Sequence, residues 1–353
     1  MNLTHYVHTL KHYVLLAILL TGLTHASAQD RNKEFTFQYD PQEIVNGSQY
    51  QKIQILDSRK DTTHYGIIQK GFLGKSATVV ANPALEDQLQ KYLETISNGN
   101  TQRDTLLLQI RRLSFSEIGG GIKEKGFFDF RANLYQKKGN NYFPLNHIDS
   151  SFQVSGIDVS NKLLKKGSLI IDSFIRKNLK VKDISSESLT LHDIQNIDYK
   201  EKEKLPLYAA EHLVDGIYMS YETLKNQKPD YPLVDEKDKK GKIKYYYYTN
   251  EKGKKVKLKD SQIYAVVDND ETYVSTSFGY YPLVMENDEY YFYGLAEENS
   301  TSFSISAGIG SGFGYGGGMI GIGVGSAPSN IKRYKIKIDH VDGNFEKIEQ
   351  LPN

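Results

Sequence analysis

Five of the nine histidines lie beyond residue 28: His64, His147, His192, His212 and His340. No two of them stand at the i, i+4 spacing that lets one helix face grip a metal ion. The chain carries no H-E-x-x-H, no G-x-S-x-G and no EF-hand loop. Asp268 and Asp270 begin like a calcium loop, but Tyr273 stands where the glycine should be, so the segment reads as a hairpin turn. Ser329-Asn330-Ile331-Lys332 fits S-x-x-K, yet Pro328 precedes it and no partner motif accompanies it. Cysteine is absent, which removes thiol nucleophiles, thiolate metal sites and disulfides together. These residues nominate no catalytic, cofactor-binding or metal-ligating set. A carboxylate pair assembled only in three dimensions is left open.

The unusual chemistry is apolar. Positions 299–331 carry no charge, and ten of the eighteen residues from 308 to 325 are glycine. Every even position from Ser302 to Gly318 is Ser or Gly, while Phe303, Ile305, Ile309, Phe313 and Tyr315 take odd positions. After Gly316-Gly317-Gly318 the phase flips, and Ile320, Ile322 and Val324 alternate with glycines. A period of two that reverses at a triple glycine describes a β-hairpin with one apolar and one small-residue face. Three readings follow. The hairpin packs on its own protein. It inserts in a membrane, which needs an oligomeric ring to satisfy its edges. Or Gly308, Gly312 and Gly316 form a small-xxx-small helix pair, against glycine's low helix propensity. Two G-x-G-x-x-G matches, at Gly312/Gly314/Gly317 and Gly316/Gly318/Gly321, are a by-product of composition, since no capped helix follows either.

These residues act outside the cytosol if the first 28 residues are what they resemble. Lys11 is their single charge, residues 13–20 are apolar, and Ala26-Ser27-Ala28 ends the segment before Gln29. That is the pattern of a secretory signal peptide, with an apolar run too short to span a bilayer. An exported chain has little access to ATP or NAD(P)H, so no cofactor of that class is expected. Without Lys11, 43 basic residues face 43 acidic ones, which argues against a nucleic-acid partner. The stretch 237–259 mixes ten lysines with Tyr245–Tyr248. A solvated, lysine-guarded edge strand is the simpler reading, and a polyanion or glycan contact the sharper one.

The elements that would position such residues divide in two. An α+β domain over 46–184 shows strands near 53–56, 105–115, 128–135 and 142–154. One helix is capped by Asn82 with Pro83 at its first position and carries Leu85, Leu89, Leu93 and Ile96; a second is capped by Ser160 and carries Leu163, Ile171, Phe174 and Ile175. On the strand at 128–135, Phe128, Phe130, Ala132 and Leu134 alternate with Asp129, Arg131, Asn133 and Tyr135, which predicts one wet face. A polar stretch at 181–204 marks the boundary. Residues 205–353 are strand-rich, with turn signals at Asp268-Asn269-Asp270, Glu286-Asn287-Asp288 and Asp342-Gly343. The expected class is α+β: an antiparallel N-terminal sheet with two helices on one face, then a small all-β barrel or sandwich bearing the Gly-rich insert 302–327.

The helix–strand order around 82–179 resembles the periplasmic domains of outer-membrane auxiliary proteins of ABC-type lipid transport and curli secretion. The C-terminal part, from Asp215-Gly216-Ile217-Tyr218 through Gln262-Ile263-Tyr264-Ala265 to 334–344, is similar to uncharacterised secreted proteins of Gram-negative bacteria that carry a Gly-rich apolar insert. The resemblance implies an envelope location but no activity. The expectation is a non-enzymatic exported protein of the periplasm or outer membrane. It would work by binding or assembly, with an envelope protein, a glycan or further copies of itself as partner. An exported glycan or peptide hydrolase and a soluble glycan-binding module are the alternatives.

Overall fold

The computed structural model describes residues 32–70, 75–97, 104–118, 124–181, 186–237, 243–297, 302–303 and 331–352. The first part of the chain runs β1 (Asn32–Phe35), β2 (Tyr50–Asp57), β3 (Gly66–Lys70), β4 (Lys75–Ala81), α1 (Leu85–Ser97), β5 (Asp104–Ile118), β6 (Glu124–Lys138), β7 (Asn141–Gly156) and α2 (Val159–Asn178). All seven strands join one sheet, ordered β1-β4-β3-β5-β6-β7 with β2 also paired to β5. The sheet is mixed rather than largely antiparallel. β1 runs parallel to β4, and both β2 and β3 run parallel to β5. The connection from β2 to β5 contains β3, β4 and α1, which is long enough for a parallel crossover.

Leu106, Leu108, Ile110, Leu113 and Phe115 of β5 and Phe128, Phe130, Ala132 and Leu134 of β6 face the two helices. α1 adds Leu85, Leu89, Tyr92, Leu93 and Ile96, and α2 adds Leu163, Leu164, Ile171, Phe174 and Ile175 to the same core. Gly167 lets α2 approach closely, since a Cβ there would lie 2.7 Å from the rings of both Phe115 and Phe128. Both helix starts differ from expectation. α1 begins at Leu85, three residues beyond Asn82, whose side-chain N–H donates to Glu34 Oε1 (3.0 Å). α2 begins after Asp158, whose φ is +54°, while the Ser160 hydroxyl donates to the Gln69 carbonyl (2.9 Å) and to Glu117 Oε2 (3.0 Å).

Within the expected polar boundary, residues 191–202 are mostly helical. Thr190 and Asp193 form a reciprocal capping box on α3 (Leu191–Gln195), followed by α4 (Ile197–Lys202) and α5 (Pro206–Ala209). Ile194 packs with Leu107, Tyr135 and Tyr142 on the sheet face turned away from α1 and α2.

The rest comprises β8 (Gly216–Tyr218), α6 (Tyr221–Lys225), β9 (Asp235–Lys237), β10 (Ile243–Thr249), β11 (Lys255–Lys257), β12 (Ala265–Asp268), β13 (Glu271–Thr276), β14 (Gly279–Pro282), β15 (Val284–Glu286), β16 (Glu289–Glu297), β17 (Ser302–Phe303), β18 (Ile331–Ile338) and β19 (Phe345–Gln350). They make sheets of three, four and five strands, ordered β11-β10-β9, β14-β13-β12-β8 and β15-β16-β18-β19-β17. No closed barrel forms among the described residues, because the edges of the last two sheets do not pair with each other. Instead Tyr218, Tyr264, Val267 and Val274 share one core with Phe292, Tyr334, Ile336, Ile338 and Phe345. The Asn269-Asp270 and Asn287-Asp288 pairs all take positive φ, as tight two-residue hairpin turns require. The Lys/Tyr stretch is not a single edge strand: β10 lies between β9 and β11, Tyr246 is buried and Tyr248 stacks on Tyr231. The chain is a mixed α/β protein with six helices among the described residues and a majority of strands.

Candidate functional site

The side of the seven-stranded sheet facing away from α1 and α2 carries a dense charge cluster. Its origin is a β-bulge. Ile110 pairs with Ala132 and Arg112 with Arg131, which leaves Arg111 as the extra residue. The bulge returns Leu113 to the helix-facing core and turns both Arg111 and Arg112 to the opposite side. Asp129 and Arg131 alternate with core phenylalanines on β6, and the expected wet face is therefore covered: Arg131 is only 5% exposed.

What covers it is the turn between β18 and β19. Arg112 donates to Asp339 Oδ2, Asp342 Oδ2 and Glu346 Oε1, each at 2.9 Å. Arg131 donates to both oxygens of Asp339 at 2.9 Å, to Asp342 Oδ2 at 2.6 Å and through Nε to Asp149 at 2.8 Å. Ser151 donates to Asp129 at 2.5 Å. The turn is preorganised for this task. Asp339 Oδ1 accepts from the amides of Val341 (2.9 Å) and Asp342 (3.2 Å), and Asp342 Oδ1 accepts from that of Asn344 (2.9 Å). From behind, Tyr221 donates to the His340 carbonyl (2.8 Å) and Tyr264 to the Gly343 carbonyl (2.7 Å). Burial pushes both phenols upward, so they serve as neutral donors. Gly343 has φ +74°, and a Cβ there would sit 2.2 Å from Tyr221 Cγ, so glycine is required twice over.

Two guanidinium groups thus meet the carboxylates of Asp149, Asp339, Asp342 and Glu346, and the charge of Asp129 acts on Arg112 from farther off. The surplus of negative charge divides the two central acids. Burial opposes ionisation of Asp339, but Arg112 and Arg131 outweigh it and hold its carboxyl far below the usual range. Burial and the adjacent Asp339 carboxylate push Asp342 up to about 6, against the pull of the same arginines. The pair shares its arginines unequally, and Asp342 is where a proton enters.

A second cluster adjoins the first. Arg111 Nη2 lies 2.6 Å from Asp198 Oδ1 and 2.6 Å from Glu201 Oε2, both on α4. His340 Nε2 stands 3.0 Å from Glu201 Oε2. Asp198, Glu201 and His340 offer three ligand atoms within 4.8 Å of one another, the donor set of a metal site. The Arg111 guanidinium occupies the cationic position among them, so the donors do not fit a metal while that arginine is in place. Burial disfavours the charge on Glu201, but the hydrogen bonds from His340 and Arg111 prevail and hold it at about 2.

Of the residues singled out for chemistry, His340 alone enters this cluster. His64 lies 3.2 Å from Asp61, His212 lies 2.9 Å from Asp270, and His147 and His192 are exposed on β7 and α3. Within the Gly-rich set, Phe303 falls in β17, with its backbone opposite Phe345. Ile305, Ile309, Phe313, Tyr315, Ile320, Ile322 and Val324 lie outside the described residues. The arginines and Asp339/Asp342 had a faint sequence signal: Arg111-Arg112 interrupts an otherwise apolar strand, where a solvated charge pair is out of place.

No protein-family model matches the chain, and no curated protein matches it.

Proposed function

We propose that this chain is a non-enzymatic, exported envelope protein of the periplasm or outer membrane, with the Gly-rich segment as its membrane or assembly element. In this reading it comprises a unit at 46–184, with two helices over one sheet face, and a β-rich unit at 205–353. Its partner is an envelope protein, a glycan or another copy of itself, and it uses no cofactor. The observation that carries the reading is how the uncharged segment is tied to the frame. β17 and β18 both run antiparallel to β19, which lies between them, so the two are parallel to each other. Phe303 is opposite Phe345, which is opposite Ile338, whereas the chain re-enters the sheet at Ile331. The points of exit and return are therefore about 23 Å apart along the strand direction, at about 3.3 Å per residue. Both ends are built into one sheet, so whatever the segment binds is mechanically coupled to the folded body. The charge cluster supports the same reading, since its arginines and acids are engaged in joining the two halves of the chain.

The test is fractionation of the tagged protein after washes with carbonate and with high salt, alongside a variant lacking 304–325. Retention of the full chain in the membrane pellet and release of the deletion variant are expected. A full-length mature chain found wholly in the soluble fraction overturns the insertion reading. Recovery of protein that still starts at Met1 from the cytosol overturns the export reading.

A further inference from the structure

The seven-stranded sheet treats its outer edges unequally. At β1, Gln88 of α1 accepts from the Phe37 amide (2.6 Å) and donates to the Phe35 carbonyl (3.1 Å). At β2, Gln90 accepts from the Ile53 amide (3.0 Å) and donates to the Gln51 carbonyl (3.0 Å). Each glutamine amide stands in for a missing strand. Among the described residues β7 has no such cover. Its start is bridged at Tyr142 to Leu189, but among the described residues the only partner on its outer side beyond the bulge is Asn146 Oδ1, which accepts from the His147 amide (2.9 Å). That amide therefore points away from β6, and with a period of two the N–H and C=O of residues 149, 151, 153 and 155 point the same way.

Exposed edges are ordinarily blunted with lysine, proline or a bulge. From His147 to Gly156, β7 pairs with β6 in unbroken register, contains no lysine and no proline, and carries one charge, Asp149, already bound to Arg131. His147, Asp149, Gln153 and Ser155 are exposed.

We propose that the β7 edge pairs antiparallel with β7 of a second copy of this chain, about a twofold axis at Ser150, to make one continuous sheet across the dimer. The strand is self-complementary in that register. Ile148 falls opposite the partner's Phe152, Asp149 opposite the partner's Ser151 and His147 opposite the partner's Gln153, so no like charges meet. Centring the pairing on residue 149 would set Asp149 against the partner's Asp149. Centring it on residue 151 would move Phe152 opposite the partner's Ser150 and lose the apolar pair. The interface is isologous and closes at two copies. It supplies about eight backbone hydrogen bonds between residues 147 and 153, two for each facing pair of outward residues.

The absence of cysteine makes the test direct. Ser150→Cys introduces one thiol per chain, placed by the axis at a non-hydrogen-bonded pair with Cα atoms about 4.5 Å apart, within reach of a disulfide. Ser155→Cys is the control, since its twin lies ten residues away along the paired strands. The mature protein is expected to sediment as a dimer at micromolar concentration. Ser150→Cys should cross-link almost completely under mild oxidation, and Ser155→Cys at least tenfold less. Gln153→Pro deletes only an outward amide, so it should raise the dimer dissociation constant at least tenfold while leaving the circular dichroism and melting of the monomer unchanged. A monomer at 100 µM, or equal cross-linking of the two cysteine variants, overturns the proposal. So does a monomer whose 149, 151 and 153 amides resist hydrogen exchange, which would mean that another segment or a foreign strand holds the edge.

Discussion

Asp342→Asn isolates the electrostatic logic of the charge cluster. Folding raises the Asp342 carboxyl from its ordinary 3.8 to about 6, through burial and the neighbouring Asp339 carboxylate. Between those values the folded chain holds a proton that the unfolded chain has released. The stabilisation from this group is therefore complete below about pH 3.8 and is lost as the pH rises through 6. The slope reaches about 1.4 kcal/mol per pH unit, and the shift amounts to about 3 kcal/mol in all. Glu201 works in the opposite sense. Its carboxyl is held at about 2 against an ordinary 4.5, so its contribution is present above pH 4.5 and disappears as the pH falls towards 2. Together the two place the cluster's greatest stabilising effect between about pH 4 and 5.

Asparagine at 342 has no proton to release. Its carboxamide keeps an acceptor for Arg112 and Arg131 but offers an N–H where Asp342 Oδ1 accepts from Asn344, which costs about 1 kcal/mol at acid pH. The stability of the variant minus that of the wild type should then climb by about 2.5 kcal/mol from pH 4 to pH 8, crossing zero near pH 5. Urea unfolding at unit pH intervals and constant ionic strength measures it, and histidine titration common to both proteins cancels in the difference. A difference that stays flat within about 1 kcal/mol, or that falls with pH, refutes the assignment of Asp342 as the proton-accepting member of the pair.

Arg131→Met should cost about 3–5 kcal/mol by leaving Asp339 buried with half its counter-charge, and adding Asp339→Asn should restore part of that loss, which a double-mutant cycle reads directly. Gly343→Ala should destabilise by about 2–4 kcal/mol, because a left-handed backbone and the Tyr221 ring both oppose the methyl. Gly47→Ala, at φ +81° but with nothing within 4 Å of the new Cβ, should cost only about 1 kcal/mol in the same thermal-melting comparison.

What the sequence disclosed follows from the range of each interaction. The apolar spacing of Leu85, Leu89, Leu93 and Ile96 and the alternation of Phe128, Phe130, Ala132 and Leu134 are set by neighbours within one element, and all eight are buried as that spacing implies. The reverse face of β6 is not legible in the sequence, because alternation records polarity but not its cause: Asp129 and Arg131 look alike whether they face water or a layer of opposite charge. The bulge at Arg111 leaves only a faint mark, a charged pair inside a mostly apolar strand and a shift of the buried positions from Leu106, Leu108 and Ile110 to Leu113 and Phe115. The role of Asp342-Gly343 was hidden by distance, since the partners of the turn, Arg112 and Arg131, lie more than 200 residues earlier. The helices between 190 and 202 did have a local signature, the Thr190/Asp193 capping box, but short length and high charge density masked it.

The mode by which the second half of the chain sits on the sheet has a consequence for specificity. An apolar contact tolerates sliding, because any nearby greasy surface recovers most of the burial. The Arg112/Arg131 pair does not. Displacing the 339–344 turn by one residue would take Asp339 and Asp342 out of register with the guanidinium groups and leave buried charges without partners. Buried ion pairs add little net stability compared with apolar contacts of the same size, yet breaking one is expensive. The cluster therefore acts mainly on the alternatives, making every misplaced seating costly while adding modestly to the correct one. The tyrosines behind the turn serve the same end: Tyr221 and Tyr264 hold its carbonyls while the arginines hold its carboxylates. Replacing Arg112, Arg131, Asp339 and Asp342 together with apolar residues of similar volume should consequently leave overall stability within a few kcal/mol of the wild type while loosening the placement of the turn, which nuclear magnetic resonance would register as line broadening confined to residues 339–344.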